Sequence, residues 1–328
     1  MAGLPKYVGL DVGGTTMKAA VVDDAGEASP SVVLPTEPHK GQEHGLATMA
    51  QAIREAIVAA GLTLKDIQAI GVATPGLMDI DAGLILDPPN LKPWRNVPVR
   101  DFVAKEFGLP TAFQNDANAA AFGEYWVGGG RGASSFVLFT LGTGIGGGIV
   151  IANKVLTGKH SHGGELGHLR IEMPDRGRLC GCGARGCLEA YASATAVVAR
   201  AREEMAGSRG PTRLRGIAGR LGEAFAAKDV FDAAEAGDPL ARKIVEDTGY
   251  YLALGACSAM AAVDPEVIVF GGGMADAGES FLNIIREYVG RYGLKFPASK
   301  VQIRGAQLGS DAGFIGAAGC ARQLVMAG

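Results

Sequence analysis

The sequence predicts an α/β protein of two domains with related topology, and three observations carry that expectation. YVGLDV (7–12), the turn GGTT and MKAAVVDD (17–24) read as two strands joined by a hairpin turn. The same order returns at SSFVLFT (134–140), LGTGIGGG and GIVIANKVLTG (148–158), so residues 8–24 and 136–152 look like one device used twice. The 328 residues, 48% hydrophobic and 20% charged, suffice for two ordinary cores.

The remaining elements follow in chain order. A third strand lies near SVVLPTE. GLATMAQAIREAIVAAG (45–61) puts Leu46, Met49, Ile53 and Ile57 at helical spacing and stops at Gly61. IQAIGVATPG (67–76) reads as a buried strand ending in a turn, and PTAFQNDANAAAFGEYW (110–126) as a strand leading into a helix. After a helical stretch over residues 193–262 come EVIVF (266–270) with GGGM behind it, the strand KVQIRGA and the small-residue helix DAGFIGAAGCA. The Gly/Arg-rich piece GSRGPTRLRGIAGR (207–220) reads as an exposed excursion.

Composition narrows the function classes. A formal charge of −3 gives no general attraction to nucleic acid or anionic lipid, and no stretch is apolar enough to cross a bilayer. The first strand begins by residue 7, leaving no room for a signal peptide. A cytoplasmic protein is the expectation. The 50 glycines interrupt apolar runs at several separate turns, where a ligand can approach the main chain closely.

Two of those turns suit phosphate. DVGGTTMK (11–18) sets Asp11 before Gly13, Gly14, Thr15 and Thr16, with Lys18 beyond; LGTGIGGG (141–148) offers Gly142, Thr143 and Gly144. Backbone N–H groups and Thr hydroxyls hold phosphate oxygens, and an acidic residue can hold Mg²⁺ through water. Neither turn fits the P-loop or the Rossmann fingerprint, and each taken alone could be a hairpin that needs glycine for geometry. QNDANAA places Asn115 and Asp116 between a strand and a helix. Taken alone, that position reads first as an N-cap. It also suits phosphoryl transfer to an alcohol, which needs one carboxylate to accept the hydroxyl proton.

The stretch CGCGARGC spaces Cys180, Cys182 and Cys187 as C-x-C-x4-C, with His168 upstream. Three thiolates and an imidazole make a closed tetrahedral Zn²⁺ site. A disulfide would leave one thiol over, and nothing else implies an oxidising compartment. Cys257 and Cys320 lie in small apolar helical contexts and read as core thiols. A metal there would tie down Glu165, three residues before His168, and Glu189, two after Cys187.

Taken in order, DVGGTTMK, ATPGLMD, QNDANAAAFGE, LGTGIGGG, GGELGH, CGCGARGCLE and VFGGGM resemble the ROK family of sugar kinases and regulators. The resemblance runs from about residue 8 to 320 and implies a two-domain actin-like ATPase (ribonuclease H-like) fold with an interdomain cleft. Residues 1–113 with 312–328 would form a small α/β domain, and 114–311 a large one carrying zinc-bound sugar loops. The resemblance implies ATP and Mg²⁺ as cofactors. Asp11, Gly13, Gly14, Thr15, Thr16 and Lys18 would face the nucleotide from one side, Gly142, Thr143 and Gly144 from the other, and Gly271, Gly272 and Gly273 would lie against the adenosine. Asp116 would be the general base, and Asn90, Asn115, Glu165, His168 and Glu189 would contact the sugar. His168 would also ligate Zn²⁺ with the three cysteines.

The same segments resemble the family's glucokinases, which implies ATP-dependent phosphorylation of the 6-hydroxyl of glucose, in a homodimer or homotetramer. Departures are Gln114, where many relatives have Glu, and LKPW, where a small residue often precedes the Trp. Kinases of fructose, mannose, allose or N-acetylmannosamine remain alternatives within the family. A sugar-sensing regulator is a third reading, set against the intact Asp11, Asp116 and Gly/Thr turns and the lack of room for a DNA-binding domain ahead of the first strand. Arg209, Arg213, Arg215 and Arg220 could meet a polyphosphate donor, but a solvated loop is the stronger reading of these charges. Trp94 could stack on a sugar or simply pack.

Overall fold

In YVGLDV and its partner strand most residues are buried, runs of successive positions included, so these strands must be covered on both faces. The computed structural model describes residues 4–207 and 210–327. Strands β1 (Lys6–Val12), β2 (Thr16–Asp23), β3 (Val32–Pro35), β4 (Ile67–Thr74) and, after a short ladder of β5 (Met78–Asp79) with β6 (Leu84–Ile85), β7 (Thr111–Asn115) form a sheet of order β3-β2-β1-β4-β7. β1 pairs antiparallel with β2, while β1, β4 and β7 run parallel. Strands β8 (Ser135–Leu141), β9 (Ile145–Ile151), β10 (Lys154–Val155), β11 (Val267–Gly271) and β12 (Gln302–Gly305) form a second sheet of order β10-β9-β8-β11-β12. The two sheets share one plan: a hairpin, then parallel strands added beside its first member. The repeat read from the sequence is therefore a repeat of topology.

The helices are α1 (Gln42–Ala59), α2 (Val99–Phe107), α3 (Asp116–Val127), α4 (Glu189–Ala192), α5 (Ala194–Gly207), α6 (Leu214–Leu221), α7 (Ala227–Glu235), α8 (Pro239–Val263), α9 (Glu279–Tyr292), α10 (Lys295–Ala298) and α11 (Ala312–Ala327). None is long and apolar enough to cross a membrane. α1 buries Met49, Ile53 and Ile57 against the first sheet, as the spacing predicts. Trp94 packs in that core, 1% exposed, with its ring over Gly45, so it stacks on no sugar.

The chain divides into two compact units: one is the N-terminal part to Ala133, Gly148–Gly164 and the C-terminal part from Gln307; the other is Ser134–Gly147 with Glu165–Ala306. The boundary expected after residue 113 differs from this division: it would cut β7 and separate α3 from α11. α3 lies so close to α11 that a Cβ on Gly316 would sit 1.6 Å from the Ala119 carbonyl oxygen. A backbone approach of that kind is local to the fold, and no run of apolar residues announces it. The 207–220 piece is corrected in part: its second half is helix α6, and Leu214 is buried. Arg209 lies outside the described residues. Cys257 and Cys320 are both partly buried, and burial pushes the Cys320 thiol up to about 12.

Candidate active site

In the first unit, three neighbouring parallel strands deliver their C-terminal ends to one place. Register pairs Asp11 with Ala73 and Thr74 with Asn115, so Asp11, Thr74 and Asn115 line one edge of the sheet. Ligands of open α/β sheets gather at such an edge. The Gly/Thr turn follows directly: Gly13 N–H donates to the Thr16 carbonyl (2.8 Å), and Thr36 Oγ1 donates to the Gly13 carbonyl (2.7 Å). Thr15 and Thr16 are exposed. Gly14 lies beside Asn90, where a Cβ would be 3.2 Å from the Asn90 carbonyl oxygen. The structure thus brings Asn90, Asp11, Gly13–Thr16, Asn115 and Asp116 into one unit. Lys18 faces Asp11 across the hairpin, and its ammonium is ion-paired with Asp311.

The N-cap of α3 is Asn115, whose Oδ1 accepts from Ala117 N (2.9 Å) and Asn118 N (3.2 Å). Asp116 is therefore the first residue of the helix, with Oδ1 accepting from Ala117 N at 2.8 Å. Its carboxylate sits at the positive end of the helix, where negative charge is favoured. Gln114 is buried, and its Oε1 accepts from Asn115 N (2.9 Å) and Asn118 Nδ2 (3.2 Å), so the residue before the pair holds the turn from below. Burial and the nearby Asp116 charge push the Asp11 carboxyl up to about 7, with Lys18 opposing. Gly313, which sequence reasoning missed, gives Asp11 its room: a Cβ there would meet Asp11 Oδ2 at 2.2 Å.

The second unit repeats the arrangement. β8 and β11 run parallel with Thr140 opposite Gly271, so Gly142–Gly144 and Gly271–Gly273 follow adjacent strand ends. Gly142, Thr143, Gly272 and Gly273 are exposed. Gly272 has φ +83° and lies against the Leu141 carbonyl, a position closed to any side chain.

His168, Cys180, Cys182 and Cys187 converge, their ligand atoms all within 4.8 Å of one another. Cys182 and Cys187 Sγ are 3.7 Å apart, and Cys180 Sγ is 3.8 Å from His168 Nδ1. Tetrahedral Zn²⁺ with Zn–S of about 2.3 Å spaces its thiolates by about 3.8 Å, so the four groups fit that ion. Desolvation and crowding by neighbouring thiols push Cys180 up to about 12 and also raise Cys187, whereas the backbone at Ala184 lowers Cys182. A divalent cation reverses that preference by stabilising the thiolates. Glu165 is exposed at the start of the His168 turn. Glu189 is held: Oε2 accepts from Ile145 N at 2.9 Å, and Oε1 lies 3.5 Å from Cys180 Sγ.

Residues 7–324 match the ROK family. The chain is a member of the ROK family. Among its relatives, the glucokinase of Halalkalibacterium halodurans is 39% identical over 94% of this chain and 93% of its own length. A ROK hexokinase from Thermus thermophilus superposes with a TM-score of 0.82 at 36% identity, over 98% of this chain and all of that one. A ROK family glucokinase from Streptomyces griseus, solved in complex with glucose and AMPPNP, has a TM-score of 0.77 at 35% identity, again over 98% of this chain and all of that one. The two-sheet α/β architecture described above is thus the fold of ROK sugar kinases.

Proposed function

We propose that this ROK protein is an ATP-dependent hexose kinase, with glucose as acceptor and its 6-hydroxyl as the site of phosphorylation. The observation that carries the reading is Asp116: a carboxylate at the first turn of α3, beside Asp11 and the first Gly/Thr turn, with Asn115 fixed as the cap. The named relatives, a glucokinase solved with glucose and AMPPNP among them, support it.

In this reading Asn115, Asn90, Glu165, His168 and Glu189 hold sugar hydroxyls, and Asp116 accepts the proton of the attacking hydroxyl. The turns at 13–16 and 142–144 donate backbone N–H groups to phosphate oxygens, and Gly271–Gly273 lie against the adenosine, where side chains would obstruct. Lys18 lies near the phosphates, its charge shared with Asp311. Mg²⁺, held by Asp11 through water, would supply charge neutralisation on the transferred phosphoryl group. His168 Nδ1 turns to the cysteines, which leaves Nε2 as the nitrogen for a sugar hydroxyl. Zn²⁺ on the four-residue cluster is structural, fixing the loops that carry Glu165 and Glu189. Assembly as a homodimer or homotetramer belongs to the same reading.

The test is ADP formation from ATP·Mg²⁺ with glucose, mannose, fructose, allose, glucosamine, N-acetylglucosamine and N-acetylmannosamine. A kcat/KM for glucose well above the others is the expected result. Preference for another sugar would keep the kinase reading and move specificity to residues 87–98. Absence of turnover with every sugar would overturn it in favour of a sugar sensor.

A further inference from the structure

The turn 142–145 has little to hold its own shape. It contains Gly142, Thr143 and Gly144, and its one internal bond runs from Gly142 N to the Gly144 carbonyl (3.0 Å). Glycines lose the most conformational freedom when ordered, so a turn of this kind needs outside partners. Three come from the segment that follows Cys187. Ile145 N donates to Glu189 Oε2 (2.9 Å), Ala194 N donates to the Gly142 carbonyl (2.9 Å), and Thr195 Oγ1 donates to the Thr143 carbonyl (2.8 Å). The fit is close: a Cβ on Gly144 would lie 2.4 Å from Glu189 Oε2. On the other side a Cβ on Gly167 would lie 2.1 Å from the Ile145 carbonyl oxygen, and Leu166 fills the space over Gly147. The turn is thus wedged between residues 166–168 and 189–195, the two segments that the His168 and Cys187 ligands would draw together.

We propose that Glu189 and Thr195 are positioning residues for the 142–145 turn, so that the cysteine–histidine cluster and the sugar-side carboxylate set affinity for the nucleotide's phosphates as well as for the sugar. This rests on the reading of residues 142–144 as a phosphate turn. The thermodynamic consequence is reciprocal coupling: sugar contact with Glu189 orders the turn for nucleotide, and nucleotide on the turn orders Glu189 for sugar.

The experiment measures the Kd of Mg²⁺ with a non-hydrolysable ATP analogue, the Kd of glucose and the zinc content for the whole protein and four variants. Thr195 is exposed and is named in neither site, so Thr195→Val removes the hydroxyl at constant volume. It is expected to weaken the ATP analogue about three- to ten-fold, the loss of one hydrogen bond. Glucose affinity in the absence of nucleotide and zinc content should stay as in the parent, and Thr195→Ser should restore the nucleotide. Glu189→Gln is expected to weaken both ligands. Gly142→Asp has open space for its side chain and sets a carboxylate in the turn, so it tests the underlying reading and should repel the analogue. Unchanged nucleotide affinity in Thr195→Val with loss in Gly142→Asp overturns the tether and spares the phosphate turn. Unchanged affinity in both overturns the two together.

Discussion

Asp11 and Asp116 share one edge of a sheet, and their chemistry follows from their surroundings. Asp116 sits at a helix start that Asn115 already caps, so its carboxylate is not needed as the cap. Asp116→Asn keeps the shape and removes the proposed base; kcat for glucose should fall about 10²- to 10⁴-fold, the usual contribution of a general base, with glucose affinity within a few-fold by calorimetry. Asp11 is different, because burial and the Asp116 charge raise its pKa to about 7. Between the ordinary carboxyl value and 7 the folded state holds a proton that the unfolded chain releases. Stability without nucleotide or divalent cation should therefore fall as pH rises through that window. Asp11→Asn should remove the slope, adding about 1–3 kcal/mol to urea stability at pH 7.5 and almost nothing at pH 4. An equal gain at both pH values would mean that its charge is not the cause. Gln114 illustrates what a motif leaves out. Its neutrality near Asp116 is visible in the letters, but its grip on Asn115 N and Asn118 Nδ2 comes from the strand-to-helix corner.

At the scale of elements, the decisive contact is glycine against backbone. α11 meets β1, β4 and α3 through Gly9, Gly71 and Gly316, each with a Cβ position less than 2 Å from a carbonyl oxygen. Gly316→Ala must push two helices apart, and about 3 kcal/mol or more of stability should be lost in urea unfolding. Gly290 in α9 has nothing within 4 Å of a Cβ, so Gly290→Ala should instead add about 0.5–1 kcal/mol. Opposite signs at two helical glycines separate packing from propensity; a shared sign would contradict the packing account. Amphipathic α1 and the strands were legible from period alone. The α3–α11 contact was not, because GFIGAAGCA shows small residues without saying which backbone they admit.

For the whole molecule, both units bury many apolar side chains, Ile53 and Ile70 in the first and Phe139 and Phe270 in the second among them, and the second also carries the loop over residues 166–188, which bends around His168 and three cysteines. On the proposed reading of this cluster as a zinc site, removing the ion with a strong chelator should lower the melting temperature by several degrees. Metal coordination is folding energy for loops of this kind. A calorimetric trace that is unchanged after complete zinc removal would take the ion out of the stability account. Family membership, the paired Gly/Thr turns, the Asn–Asp pair and the metal spacing were all readable from the chain, since each depends on residue type at short separation. Period and spacing also foretold strands, helices and the doubled topology. Only the tertiary structure decided that α3 belongs with the first unit, that Trp94 packs over Gly45, that Gly313 makes room for Asp11, and that Glu189 and Thr195 hold the second turn. Those facts rest on contacts between residues far apart in the chain, and only packing brings such groups within a hydrogen bond of one another.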